Sequence, residues 1–234
     1  MYRAVIFDLD GTLLNTLTDL ANAGNHTLQV LRFAPHPIED YKKMVGNGIP
    51  KLVERFLPQQ ARGEATQTLA LHLFMTYYDA HKADKTAPYA GIASLLRSLH
   101  EKNLQLGVVS NKEDTMANDV ITHYFHDVFD AVAGHISGTA PKPNPARVNE
   151  IVAQFGVSPR EVLYVGDSDV DIFTAKNAEM DSCGVLWGFR TEAELAAAGA
   201  TYLAKTPADI LALCDTNPAW QGDEHNCFYR ADAK

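Results

Sequence analysis

At 234 residues the chain is long for one compact domain and short for two large ones, so one domain with a modest insertion fits it. Apolar residues make up 46% and charged residues 21%, which excludes a disordered chain. A formal net charge of -9 argues against nucleic acid and against anionic membrane surfaces, whose partners carry basic faces. A small phosphate ester is not excluded, because a metal ion and one lysine reverse the local field.

The amino terminus runs straight into Val5-Ile6-Phe7, an apolar run that reads as a buried strand ending at Asp8. No apolar leader precedes it, and the longest apolar stretch, around Leu69 to Met75, is too short to span a bilayer. Leu17, Leu20, Ala21, Gly24, Leu28 and Leu31 then recur at helical spacing. Ile38, Tyr41, Met44 and Val45 form a second helical stripe that stops at Gly46-Asn47-Gly48, and Ile49 to Leu57 form a third that ends at Pro58. A fourth helix is expected within Ala65 to Lys82, so the span from about Asn15 to Lys82 is nearly all helical.

After Pro88 the pattern alternates. Ile92, Leu95, Leu96 and Leu99 mark a helix, and Leu104 to Val109 a strand. Asn144 is expected to cap a helix with Pro145 at its first position, and Val162-Leu163-Tyr164-Val165 is the next strand. Thr191 with Glu194 has capping-box spacing, and Thr206-Pro207 opens the last clear helix. Such alternation implies an α/β core, a doubly wound, mainly parallel, Rossmann-like sheet with helices on both faces. The expected division is a core of residues 1–14 and 83–216, an inserted all-helical cap of residues 15–82, and a loose tail from 217 to 234. A cap so inserted would lie over the carboxyl ends of the strands, where open α/β sheets bind ligands.

Those strand ends carry the chemistry. Asp8-Leu9-Asp10-Gly11-Thr12 leaves the first strand with two carboxylates two residues apart, pointing the same way. Ser110-Asn111 puts a hydroxyl and an amide just past Val108-Val109. Pro141-Lys142-Pro143 holds a lysine between two rigid residues, and Val165-Gly166-Asp167-Ser168-Asp169-Val170-Asp171 sets acids after a third buried strand. Each piece alone is weak, whereas their order and shared position at strand termini make one constellation.

This constellation resembles the haloacid dehalogenase superfamily of phosphotransferases, whose four motifs match Asp8-x-Asp10-Gly11-Thr12, Ser110-Asn111, Lys142, and Gly166-Asp167-x-x-x-Asp171. Val45-Gly46-Asn47-Gly48 with Leu52-Val53-Glu54-Arg55, and Gly184 to Arg190, resemble the phosphoglycolate phosphatase branch. The chain departs from the pattern at Asn15, where many members carry aspartate, and at Glu179, where glycine is common. The resemblance implies a Mg²⁺-dependent phosphatase of a small phosphorylated metabolite, in which Asp8 forms an aspartyl-phosphate and Asp10 is acid and then base. It implies Asp8, Asp167 and the Asp10 backbone carbonyl as protein ligands of Mg²⁺, with Asp171 behind them. Ser110 and the Asn111 backbone would hold phosphate oxygens, Lys142 would offset their charge, and Gly46, Asn47, Gly48 and Arg55 would read the rest of the substrate.

The other polar residues read as ordinary. Lys112 is expected to be a surface charge, Asp169 a solvated acid, Trp187 a core residue, and the nine histidines surface or cap residues. Arg55 shares a helix face with Gly48 and faces either substrate or solvent. The cysteines, Cys183, Cys214 and Cys227, are far apart and odd in number, which suggests reduced thiols in a cytoplasmic protein. Phosphoglycolate leads the substrate list, ahead of sugar phosphates, pyrophosphate and nucleoside monophosphates, and a sugar phosphomutase stays open. A dehalogenase has no use for Asp10 as an acid, and a phosphonatase usually lacks the second aspartate. A phospho-aspartate signalling module would be about half this length, without a helical insert. A dinucleotide site would need its glycines after a strand, whereas Gly46-Asn47-Gly48 follows a helix.

Overall fold

Val5, Ile6 and Phe7 are fully buried in β1 (Ala4–Phe7), the strand from which the sheet is built. A computed structural model describes residues 1–215; the expected tail and Cys227 lie outside the described residues. β1 pairs in parallel with β4 (Gln105–Glu113) on one side and β6 (Val162–Gly166) on the other, with Phe7 opposite both Val108 and Val165. Adding β5 (Ala131–His135), β7 (Asp181–Val185) and β8 (Tyr202–Ala204) gives the order β5-β4-β1-β6-β7-β8, with every neighbouring pair parallel.

The pleat divides each strand between two cores. Val5, Phe7, Leu106, Val108, Leu163 and Val165 face one side, with Leu95, Leu96 and Leu99 of α4 (Ile92–Glu101), Val120 of α5 (Asp114–Phe125) and Ile210 of α9 (Pro207–Asp215). Ala4, Ile6, Val162 and Tyr164 face the other, with Val148, Ile151 and Val152 of α6 (Ala146–Phe155) and Ala175 of α7 (Asp169–Asn177). Each fully buried aliphatic or aromatic side chain here contributes about 1.5–3 kcal/mol. The strand order runs outward from β1 to β5 one way and from β6 to β8 the other. The crevice at such a reversal, outside the carboxyl ends, is where doubly wound sheets take ligands.

β2 (Leu14–Asn15) pairs antiparallel with β3 (Ala87–Pro88), and between them lie α1 (Leu17–Val30), α2 (Ile49–Phe56) and α3 (Glu64–His81). These helices pack around a second apolar cluster that also takes in Met116 of α5 and Phe189, with Tyr41, Phe56, Phe74 and Tyr78 in a chain of ring contacts. Asp19, 1% exposed, ties exit to return: it accepts from the Thr86 N–H and hydroxyl, both at 2.8 Å, and from the Lys85 N–H at 3.0 Å. Asn15 accepts from the Leu17 N–H at 3.4 Å at the start of α1.

The sequence expectations shift in three places. The stripe from Ile38 to Val45 is a 3₁₀ segment, Ile38–Lys43, whose ends close on three-residue bonds, Asp40 N–H to Pro37 O at 3.1 Å and Met44 N–H to Tyr41 O at 2.9 Å. α6 starts one residue late: Pro145 flanks it, and Asn144 accepts from the Ala146 N–H at 3.0 Å. Ser110 and Asn111 lie within β4 rather than past it, where the register with β5 breaks between Val109 and Glu113. The Thr191–Glu194 capping box does open α8 (Glu192–Ala198). Cys183 and Cys214 are buried free thiols. Among the described residues, no helix is long and apolar enough to cross a membrane.

Glu179 adopts φ +59° just after α7, in the left-handed region that side chains with a Cβ avoid. Glu179→Gly is therefore expected to stabilise the fold by about 0.5–1 kcal/mol, the relieved strain exceeding the added chain entropy. Denaturant titration checks this; an unchanged or lower midpoint would contradict it.

Candidate active site

Asp8 is fixed by the sheet itself: its N–H donates to Val165 O at 2.8 Å, extending the β1–β6 ladder by one residue. The chain then turns at Gly11, where φ is +89°. A Cβ there would lie 2.3 Å from Asp167 Oδ2, so glycine is required by conformation and by space. Asp167, just past β6, is 2% exposed; its Oδ2 accepts from the Phe189 N–H at 2.7 Å and its Oδ1 from the Thr12 hydroxyl at 3.4 Å. Gly188 leaves room for it, since a Cβ there would fall 2.2 Å from Asp167 Cβ. Thus β1, β6 and the loop after β7 bring these acids to one edge of the sheet.

Lys142 enters the same point from the loop before α6. Its Nζ donates to Asp8 Oδ1 and Asp171 Oδ1 at 2.7 Å each, to Val109 O at 3.0 Å, and to the Tyr164 hydroxyl at 3.2 Å. Burial alone would lower its pKa, but the Asp171 and Asp8 carboxylates outweigh it and hold the ammonium charged. Asp171 is fully buried. Its second oxygen accepts from the Ser168 N–H and hydroxyl in the capping box of α7, so both oxygens are engaged.

Asp8, Asp167 and Asp171 offer carboxylate oxygens that all lie within 4.8 Å of one another. Burial first, then the charge of Asp171, pushes Asp8 up to about 7, against the pull of Lys142. Burial, Asp171 and Asp8 likewise push Asp167 well above the carboxylate range. Four carboxylates, with Asp10 the fourth, face the two lysines that touch them, Lys112 and Lys142. Crowded, desolvated oxygens with surplus negative charge suit a hard divalent cation such as Mg²⁺. Asp167 Oδ1 carries only the long 3.4 Å contact with Thr12, whereas both oxygens of Asp171 are held closely, by Lys142 at 2.7 Å and by the Ser168 hydroxyl at 2.5 Å.

On β4, Ser110 and Asn111 border the same cleft as Asp8, Asp10 and Asp167. Ser110 Oγ accepts from the Lys112 N–H at 3.1 Å. Asn111 Oδ1 accepts from the Lys142 N–H at 2.8 Å, and its Nδ2 donates to Gly46 O at 3.0 Å, joining the lysine loop to the helical insert. Lys112 corrects the sequence reading. It is no surface charge, since its side chain is 2% exposed and its Nζ sits 3.1 Å from Asp10 Oδ2 and 3.1 Å from the Tyr78 hydroxyl of α3. The missed signal is strand alternation: if β4 runs on past Val109, Ser110 and Lys112 share a face.

Gly46 and Gly48 border the cleft, and a Cβ on Gly48, at φ +82°, would meet Asn111 O at 3.4 Å. Arg55 is half-buried, with its guanidinium turned onto the helical insert itself. It donates to Met44 O and Asn47 Oδ1 at 2.7 Å each and so braces the loop from behind, because the carbonyls ending the 3₁₀ segment attract a cation. Arg190, which the sequence marks only as the end of the stretch Gly184 to Arg190, grips the same segment from the core side. It donates to Lys42 O, and to Val45 O at 2.9 Å. Trp187, expected in the core, is half-buried and packs against it, its Nε1 donating to Thr12 O at 3.0 Å. Asp169 is half exposed, 3.7 Å from Arg190. Among the described residues no histidine joins a metal-ligand group.

Residues 5–185 match the family model of haloacid dehalogenase-like hydrolases. A phosphoglycolate phosphatase of Psychrobacter arcticus is 33% identical over 194 residues, covering 80% of this chain and 84% of its own. One of Vibrio vulnificus is 31% identical over 215 residues, covering 89% and 94%. A crystal structure from Lactobacillus delbrueckii subsp. bulgaricus, 33% identical, superposes with a TM-score of 0.86 over 89% of this chain and 96% of that one.

Proposed function

The chain belongs to the haloacid dehalogenase-like hydrolase family, and on that footing we propose that it is a phosphomonoesterase with phosphoglycolate as its substrate. The observation that carries the chemistry is a lysine-bound carboxylate, Asp8, set beside Asp167 and Asp10 at the strand reversal. The substrate is suggested by the phosphoglycolate phosphatases at 31–33% identity. The start of α2 beside the cleft supports it, because helix N-termini favour anions such as a carboxylate.

In this reading Asp8 attacks phosphorus and the ester P–O bond breaks, giving an aspartyl-phosphate. Asp10 gives its proton to the departing alkoxide, then takes one from the water that attacks phosphorus and releases Asp8. Ser110 and the Asn111 N–H hold phosphoryl oxygens, while Lys142 fixes Asp8 and offsets their charge. Mg²⁺, held by Asp8, Asp167 and the Asp10 carbonyl, would supply charge neutralisation at the phosphoryl oxygens. Asp171 keeps Lys142 in place. The helical insert acts as a cap over the core, and its Gly46-Asn47-Gly48 loop reads the part of the substrate beyond phosphate.

Phosphate release from a panel of esters tests the substrate. The highest kcat/KM should fall on phosphoglycolate; a clear preference for a sugar phosphate, pyrophosphate or a nucleoside monophosphate would overturn that assignment and leave the phosphatase standing. Arg55→Ala, which frees Met44 O and Asn47, is expected to lower kcat/KM on phosphoglycolate by about tenfold and on an aryl phosphate by less than about threefold. Equal losses on both would mean that the loop does not read the leaving group.

A further inference from the structure

An ammonium with 2% of its side chain exposed is costly unless it is paired, and both partners of Lys112 are unusual. One is Asp10 Oδ2, at 3.1 Å. The other is the Tyr78 hydroxyl at 3.1 Å, which comes from α3 in the helical insert, with Nζ also lying 5.1 Å from the ring centre. The two oxygens of Asp10 are therefore unequal. Oδ2 is anchored, whereas Oδ1 is buried and has no hydrogen-bond partner among the described residues. Buried polar atoms rarely stay unpaired, and those that do often await a ligand or a proton.

We propose that Lys112 is a positioning residue for Asp10, holding Oδ2 so that Oδ1 alone meets the bridging oxygen of the ester, and that Tyr78 completes this anchor only when the cap is docked. The proposal rests on the phosphatase reading above. In the first half-reaction the proton on Oδ1 passes to the ester oxygen as its bond to phosphorus breaks and the Asp8–phosphorus bond forms. In the second, Oδ1 takes a proton from water as the water oxygen bonds to phosphorus and Asp8 leaves. Asp10 ends as it began. Lys112 can donate to Oδ2 in both states, so the proton is confined to one oxygen. Tyr78 also gives the core a way to sense the cap: with the cap away, Lys112 loses one of its two anchors, and Asp10 loses its fixed rotamer. Acid catalysis is thus strongest when water is excluded.

The test exploits the leaving group, comparing phosphoglycolate with nitrophenyl phosphate, whose phenolate departs without a proton. kcat/KM covers steps through departure of the leaving group, and kcat also covers hydrolysis of the shared aspartyl-phosphate. Lys112→Met should lower kcat/KM on phosphoglycolate by about 10- to 100-fold and on nitrophenyl phosphate by less than about threefold, a share of the 10²–10⁴ that acid–base catalysis supplies. kcat should fall on both substrates. Tyr78→Phe should give the same split at about three- to fivefold, and it decides the matter if Lys112→Met does not fold. Equal losses of kcat/KM on the two substrates, or no loss, would overturn the proposal. Asp10→Asn serves as reference. A split there without one in Lys112→Met defeats the role of Lys112 alone; no split there defeats the assignment of Asp10 as the acid.

Discussion

Asp8→Asn is expected to reduce turnover by on the order of 10⁴-fold or more while leaving the fold intact, because it removes the covalent route rather than weakening one contact. Asparagine keeps the shape of the side chain and an oxygen for the Lys142 hydrogen bond of 2.7 Å. It removes a negative charge that burial and Asp171 already disfavour. The variant should therefore melt at or above the wild-type temperature. Phosphate release together with a thermal melt checks both halves, and substantial activity in a well-folded variant would sink the covalent mechanism.

Removal of divalent metal has the second largest expected effect. Excess chelator should abolish activity, and added Mg²⁺ should restore it. Ca²⁺ should substitute poorly, because its larger and looser coordination does not hold an in-line geometry. The physical ground is the surplus of four carboxylates, Asp8, Asp10, Asp167 and Asp171, over the two lysines that meet them among the described residues, Lys112 and Lys142. A cation relieving that repulsion should also raise the melting temperature without substrate, and Asp167→Asn should diminish the rise. Full activity in excess chelator, with no thermal response to Mg²⁺, would contradict the metal assignment.

The acids and the lysine were legible because they stand where apolar runs stop. Val5-Ile6-Phe7 and Val162 to Val165 announce buried strands, and in a parallel sheet their ends share one edge. β7 was not legible: Asp181-Ser182-Cys183-Gly184 lacks a β-branched run, and tertiary packing of Cys183 and Val185 in the main core makes it a strand. β5 is an edge built of small residues, with the same difficulty. Asn144 was misread by one position, which is the usual precision of a helix start. Lys112 was misread for a better reason. A lysine beside a polar pair looks like surface, and only the bulged continuation of β4 and the arrival of Tyr78 from a distant helix make it interior. Arg55 and Arg190 likewise look like free cations until the carbonyls at Lys42, Met44 and Val45 come within their reach.

The central claim is that phosphate passes through Asp8, and chemical capture tests it most directly. The enzyme is quenched in acid during turnover of phosphoglycolate or an aryl phosphate and reduced with borohydride, which converts an acyl phosphate to homoserine, and the peptides are read by mass spectrometry. The account predicts homoserine at position 8, dependent on substrate and lost in Asp8→Asn. An unmodified Asp8 in enzyme caught turning over, with the modification at another residue, would contradict it.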